Sequence, residues 1–411
     1  MPGVEELIYE VFLALGLALI LGKLFEEVFV RLGAPPVIGD LVAGLILGKT
    51  LLGVYPVTDV VNVFSWFGIT LLLFYAGLET RYREFMKHVP TYGLITVGEV
   101  FSAFLLGYII GVCFGYTPLK AYFIGTILVA TSVSLSVRTL IEIDKLTTIE
   151  GRTVLGIAVL DDLAALIIIV AGTSLATMGS FNIIELLRIA ITAFTAWFLI
   201  VFSLHRLSSR LARYAIKLHV EESLFAIIFG IFALLAYLAK YIGISYLVMA
   251  YAVGLAFSEV RGVRRVAESV RALSIPFSTL FFMMTAATID IRIVMNPNYV
   301  PFYIVMVATA FAGKILGGGL ASYIMGYPLW SALRVAVGLF PRAEFCIIAA
   351  YLAVTKGILS YEAYLAALMI VLVTNFLTPP ILKAVYLRGP EVTSIKPRWK
   401  FRKNIKSPVH R

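Results

Sequence analysis

Apolar runs of about eighteen residues or more recur from one end of this chain to the other, and a water-soluble core has no room for them all. Such runs have one stable solution in lipid. Each must satisfy its own backbone hydrogen bonds, so each becomes a helix. The composition agrees: 61% of residues are hydrophobic and 14% charged, against about 45–50% and about 25% in an average soluble domain. The mean hydropathy is +0.96. The expected fold is an all-α polytopic membrane protein.

Thirteen candidate spans can be drawn, at 6–30, 35–53, 59–79, 89–115, 118–141, 151–177, 183–205, 221–240, 242–259, 268–290, 299–325, 328–355 and 361–386. The first apolar segment, Leu7 to Val30, is too long for a signal peptide and lacks a clear cleavage site. Two cysteines, Cys113 and Cys346, lie in apolar segments and read as buried free thiols.

Positive charge alternates between the connections. One side collects Arg31, Arg81, Arg83, Lys87, Arg138, Lys145, Arg152, Arg206, Arg210, Arg213, Lys217, Arg261, Arg264, Arg265, Arg271 and the basic tail 387–411. The other has scattered charges such as Lys49, Lys120, Lys240 and Lys356. The positive-inside rule puts the rich side in the cytoplasm of a plasma-membrane protein, with the N-terminus outside and the C-terminus inside. The net charge of +10 therefore orients the chain and draws its tail to anionic lipid, and nucleic acid is not an expected partner.

A charge within a span costs at least ~2.5–3.5 kcal/mol on insertion scales and marks function by default. At about 1.5 Å per residue, Asp161 and Asp162 lie roughly 15–17 Å into span six, near the midplane. The same arithmetic puts Thr131 and Ser132 about 20 Å into span five, Lys314 about 22 Å into span eleven, and Arg342 and Glu344 about 21–24 Å into span twelve. Adjacent helical residues point about 100° apart, so the two aspartates are expected to do different jobs. Lys314 is too far from either end of its span to snorkel. It needs a counter-charge, and Asp161 or Asp162 is the expected one. The hydroxyl-rich VATSVSLSVRTL (129–140) and the Pro341-containing VGLFPRAEFCII (337–348) read as interrupted helices.

These interrupted spans, five and twelve, are seven apart, an odd offset that reverses direction through the membrane. Two inverted halves follow, about 6–177 and 221–386, with span seven (about 183–205) as linker. Together they make a transmembrane domain over 1–386. Paired broken helices in corresponding halves point to a transporter site. The segments PPVIGDLVAGLILG (35–48) and GISYLVMAYAVGLAFS (243–258) repeat a similar composition at the same offset.

LLLFYAGLET (71–80), ATSVSLSVRTL (130–140), LGIAVLDDLAALI (155–167), Lys314 in a glycine-rich span and GLFPRAEFCII (338–348) together resemble the cation:proton antiporter-2 family, and within it the electrogenic NapA type of prokaryotic sodium/proton antiporter. The resemblance runs from about Glu5 to Tyr386. It implies a homodimer with a dimerisation domain and a core domain in which spans five and twelve cross. It also implies that Asp162 is the main ion- and proton-binding carboxylate, that Asp161 forms a salt bridge with Lys314 that sodium disrupts, that Thr131 and Ser132 flank the site, and that Arg342 and Glu344 form a structural ion pair. The family's PRGE reads PRAE here, with Ala343 in place of glycine. Asp161, where electroneutral relatives carry Asn, and Tyr75, near which they carry an acid, favour the electrogenic type.

The expected function is secondary antiport, not enzymatic catalysis: sodium or lithium held by Asp161 and Asp162 exchanges for protons, with no resident cofactor. A potassium/proton antiporter is the nearest rival. A cation channel is a rival of another class, separable by single-channel currents. An intramembrane aspartyl protease takes its two aspartates from separate helices, and these are adjacent on one.

Overall fold

A computed structural model describes residues 4–390 apart from 33, 179–182, 219, 221, 243–244, 290–296 and 298, together with most of their side chains. The described residues are helical, with no strand among them. Helix α1 (Val4–Leu17) runs through a π-helical turn into α2 (Lys23–Arg31), followed by α3 (Val37–Leu47), α4 (Asp59–Glu79), α5 (Tyr82–Cys113), α6 (Pro118–Ile127), α7 (Val133–Glu142) and α8 (Ile149–Met178). Next come α9 (Ile183–Lys217), α10 (Ser223–Ile242), α11 (Tyr246–Phe257), α12 (Val263–Ala287) and α13 (Val300–Lys314). A second π turn, Ile315–Gly319, leads into α14 (Leu320–Ile324), then α15 (Leu329–Gly338), α16 (Glu344–Thr355) and α17 (Tyr361–Tyr386). Among the described residues, seven helices are long and apolar enough to cross a membrane, and shorter apolar helices accompany them.

Local signals set several ends. Pro118 opens α6 and Pro301 sits in the first turn of α13, where a missing N–H costs nothing. The Ser245 hydroxyl caps α11 by accepting the Leu247 N–H at 3.2 Å. Some helices outrun the expected spans. Helix α5 begins at Tyr82 and passes through Pro90, and α9 continues to Lys217. Arg206, Arg210, Arg213 and Lys217 are therefore on the last turns of a helix, not in a loop as expected, since helices that leave the lipid carry their first polar residues with them.

The packing exchanges partners between the two halves. Helix α4 lies against both α11 and α12, and α3 lies against α12. The contact of α3 with α12 and that of α11 with α4 are the pairs that an offset of seven spans interchanges. Helix α5 packs against α6, α8 and α13. At the crossing of α4 and α11 the backbones nearly touch: a Cβ on Gly254 would lie 2.3 Å from the Phe74 carbonyl oxygen, and one on Gly77 would lie 2.4 Å from that of Tyr251. Without a hydrophobic drive between helices in lipid, such close approach of small residues is what holds them together.

Two buried charge clusters tie helices at one end of the bundle. Arg138, expected among the solvated basic residues, is buried in α7. It pairs with Glu142 at 2.5 Å and Glu26 at 3.5 Å, and donates to the Ser278 hydroxyl at 3.0 Å. Glu142 also accepts the Val37 N–H at 3.2 Å. The correction has a physical cause: two remote helices bring acceptors, Glu26 and Ser278, to Arg138 that the sequence alone does not place. Arg334 of α15 likewise pairs with Glu150 of α8 at 3.0 Å and donates to the carbonyls of Arg388, Gly389 and Pro390. It thereby answers carbonyls of the chain just past α17 as well as the Val385 carbonyl in its last turn, at 3.4 Å. Cys346 is buried as expected, whereas Cys113 is free but exposed at the end of α5.

Gly254→Leu should separate α4 from α11 and destabilise the protein by about 1–3 kcal/mol, the usual cost of overpacking. The measurement is a detergent thermal melt followed by size-exclusion fluorescence, in which Gly230→Leu, where a Cβ meets nothing within 4 Å, should behave as wild type.

Candidate ion-binding site

The helix pairs α6/α7 and α15/α16 are each broken, over residues 128–132 and 339–343. The breaks meet: the Ser132 N–H donates to the Pro341 carbonyl at 2.7 Å. Pro341 has no N–H to offer a helix and forces the chain open where it stands. At the other break, Thr131 and Ser132 supply hydroxyls that compete with the helical ladder. The Ser136 hydroxyl donates to the Gly338 carbonyl at 2.6 Å and the Thr131 hydroxyl reaches the Leu339 carbonyl at 3.5 Å, so α7 answers acceptors freed at the end of α15.

Asp161 and Asp162 lie mid-way along α8, both buried. Asp161 faces the first break. Its Oδ2 accepts the Thr131 backbone N–H at 2.8 Å. Its Oδ1 takes no hydrogen bond, a buried oxygen with lone pairs to spare. Asp162 is 3% exposed and projects from the next helical position. Lys314, fully buried at the end of α13, donates to the Val129 carbonyl at 2.6 Å and stands 3.6 Å from Asp161 Oδ2.

The expected partner of Lys314 was one of the aspartates. The structure places Asp161 in reach but gives the ammonium a closer carboxylate, Glu99 of α5, which it contacts directly. Sequence reasoning passed Glu99 over, although the signal was present. It stands ten residues into the expected span 89–115, about 15 Å deep by the arithmetic used for the aspartates.

Arg342 is fully buried at the second break. Its guanidinium donates to the Leu339 carbonyl at 3.1 Å and to that of Ala310 at 3.4 Å, and its N–H donates to the Thr374 hydroxyl at 3.2 Å. It also acts electrostatically on Asp161 and Lys314. The Glu344 side chain lies outside the described residues, so the expected Arg342–Glu344 pair does too. Ala343, with φ −149° and ψ −123°, is neither helical nor extended just before α16.

The arrangement offers several buried oxygens. Asp161 Oδ1, the Asp162 carboxylate, the Thr131 hydroxyl and carbonyls freed at the breaks are the ligand type that alkali ions prefer over nitrogen or sulfur. An unwound crossing inside the bundle is tolerated at membrane depth because protein groups, not lipid, surround it. Arg342→Met should leave the Leu339 carbonyl with only the 3.5 Å contact from the Thr131 hydroxyl and free the Ala310 carbonyl, lowering stability by about 1–3 kcal/mol. Thermal denaturation in detergent reads this loss, and Arg342→Lys should recover part of it.

Comparison with known proteins bears on this geometry. The chain is 29% identical to the probable Na(+)/H(+) antiporter GerT of Bacillus cereus, over 89% of this chain and 96% of that one. It is 28% identical to the Na(+)/H(+)-K(+) antiporter GerN of the same organism, over 92% of this chain and 97% of that one. The fold matches the structure of the sodium proton antiporter MjNhaP1 from Methanocaldococcus jannaschii with a TM-score of 0.66 at 17% identity, covering 92% of this chain and 97% of that one. A family model described as sodium/hydrogen exchanger, transmembrane, matches residues 16–387. The chain belongs to the transmembrane sodium/hydrogen exchanger family.

Proposed function

We propose that this protein is a secondary antiporter exchanging sodium, or lithium, for protons across the cell membrane, with Asp162 and Asp161 as the shared site. The observation that carries the reading is the burial of two adjacent carboxylates on α8, with Asp161 bonded to the first helix break through Thr131 and its Oδ1 free of hydrogen bonds. A cation and protons compete for the same oxygens, because a carboxylate must be deprotonated to ligate. Competition alone then couples the two fluxes. Lys314 at 3.6 Å from Asp161 is a third competitor, displaced when sodium arrives. Thr131 and Ser132 line the site from the break. Arg342, with Glu344, holds the second break in place.

Two carboxylates allow more than one proton per sodium, which would make exchange electrogenic and let the membrane potential drive it. This is the NapA-type reading within the cation:proton antiporter-2 family, supported by Asp161 and Tyr75. The same reading takes thirteen crossings, with a core built on α5–α8 and α13–α17 and a dimerisation domain on α1–α4 and α10–α12. Helix α9 links them, the N-terminus is outside and the C-terminus cytoplasmic. The site would travel between faces as the core moves. The name of GerN makes potassium the second cation to test.

In proteoliposomes carrying a pH-sensitive dye, sodium and lithium should each dequench the signal, and potassium less. Asp162→Asn should abolish the response. The sodium concentration giving half-maximal response should rise as pH falls, since protons occupy the same oxygens. Wild-type exchange by the Asn variant, or a sodium requirement independent of pH, would sink the assignment.

A further inference from the structure

Glu99 is the one carboxylate in contact with Lys314 that the proposed exchange cycle does not use. It is fully buried in the middle of α5. The Lys314 ammonium is the charge that answers it. The seat is built for it. Directly after Lys314 the chain makes the π turn Ile315–Gly319, a distortion that often accompanies functional positions. A Cβ on Gly317 would lie 2.6 Å from Glu99 Cα, and one on Gly318 would lie 3.5 Å from Glu99 Cγ. One turn earlier, a Cβ on Gly313 would lie 2.9 Å from Ala103 Cα. The glycines bring the backbone of α5 against the π turn, and this close approach brings Glu99 within reach of the Lys314 ammonium.

Lys314 thus stands between two carboxylates, touching Glu99 and 3.6 Å from Asp161. A buried ammonium without a counter-charge is strongly disfavoured. A cation that takes Asp161 from Lys314 would create that state unless a second carboxylate were in place. We propose that Glu99 is a positioning residue that holds Lys314 while sodium occupies Asp161 and Asp162, so that Lys314 yields Asp161 by a shift of its ammonium and stays paired throughout. This rests on the reading of Asp161 and Asp162 as the ion site. It adds a carboxylate that touches no transported ion and sets how easily sodium displaces the lysine.

The test is the sodium dependence of Glu99→Gln, measured as transport in proteoliposomes and as thermal stabilisation by sodium in detergent. With Glu99 neutral, Lys314 has Asp161 as its remaining carboxylate and sodium must break that pair outright. Half-maximal sodium should rise about tenfold, the loss of one charge-assisted partner, with the maximal rate changed much less. A merely structural role would lower the amount of folded protein and the maximal rate without moving the sodium dependence. Glu99→Asp keeps the charge but withdraws it by one methylene, so it should show a smaller rise; it is the variant to read if the Gln form does not fold. The rise should vanish when Lys314→Gln is combined with Glu99→Gln and compared with Lys314→Gln alone. An unchanged half-maximal sodium in Glu99→Gln or Glu99→Asp, or a full additional shift in the double variant, overturns the role of Glu99. Retention of sodium stabilisation and transport by Asp162→Asn would instead overturn the site, an outcome read on a different variant.

Discussion

Everything at the centre of this molecule follows from one requirement: where two helices are broken inside a membrane, the backbone groups they free must find partners without water. Each partner seen at the breaks is also a candidate part of the ion site. The Ser132 N–H is answered by the Pro341 carbonyl, so one break satisfies the other. The Thr131 N–H is answered by Asp161, which fixes a carboxylate at the crossing. The Val129 carbonyl is answered by Lys314, and the Leu339 carbonyl by Arg342, which fixes two cations there. The charges are not decoration on a prior scaffold. They complete the hydrogen bonding of the backbone, and the backbone in turn aims them.

Once charges do this work, they constrain one another. Asp161 and Glu99 face Lys314, and Arg342 acts on Asp161, so each cation moderates a carboxylate that burial alone would leave costly. A third carboxylate on α5 changes the balance that the aspartate pair suggests by itself. It lets the lysine be close to Asp161 without belonging to it. The small residues that bring α5 against the π turn after Lys314 are therefore tied to the site, since a wider spacing would withdraw Glu99.

Much of this was legible in the sequence because lipid leaves few options. Long apolar runs had to be helices, and charges well inside them had to meet. Depth arithmetic brought Asp161, Lys314, Thr131 and Arg342 into the middle of the membrane or just beyond it, and the structure gathers them around the two breaks. What failed did so for lack of lateral information. Depth says which charges share a layer, not which helices are neighbours. Lys314 was matched to the aspartates because α5 was not known to lie against α13, and Glu99 was missed although it had the right depth. Arg138 was assigned to solvent because its acceptors, Glu26 and Ser278, come from remote helices. Cys113 was expected to be buried because apolar surroundings in sequence do not distinguish a protein interior from a lipid-facing surface.

Arg138 also connects the site to the rest of the molecule. Helix α7, with Ser132 at its N-cap, carries Ser136 at the crossing and, toward its C-terminal end, Arg138 and Glu142 in the charge cluster at the bundle end. Its partners there, Glu26, Val37 and Ser278, belong to α2, α3 and α12, which lie among the helices of the proposed dimerisation domain. A carrier that moves its site relative to those helices must break these bonds, and they sit in low dielectric, where a charge separated from its partner is expensive until water reaches it. The cluster therefore favours the arrangement seen here, and opening that end requires water to enter as the charges part. The proposed ion site at the N-terminal end of α7 and the charge cluster near its C-terminal end are joined by a single short helix, so the two cannot move independently.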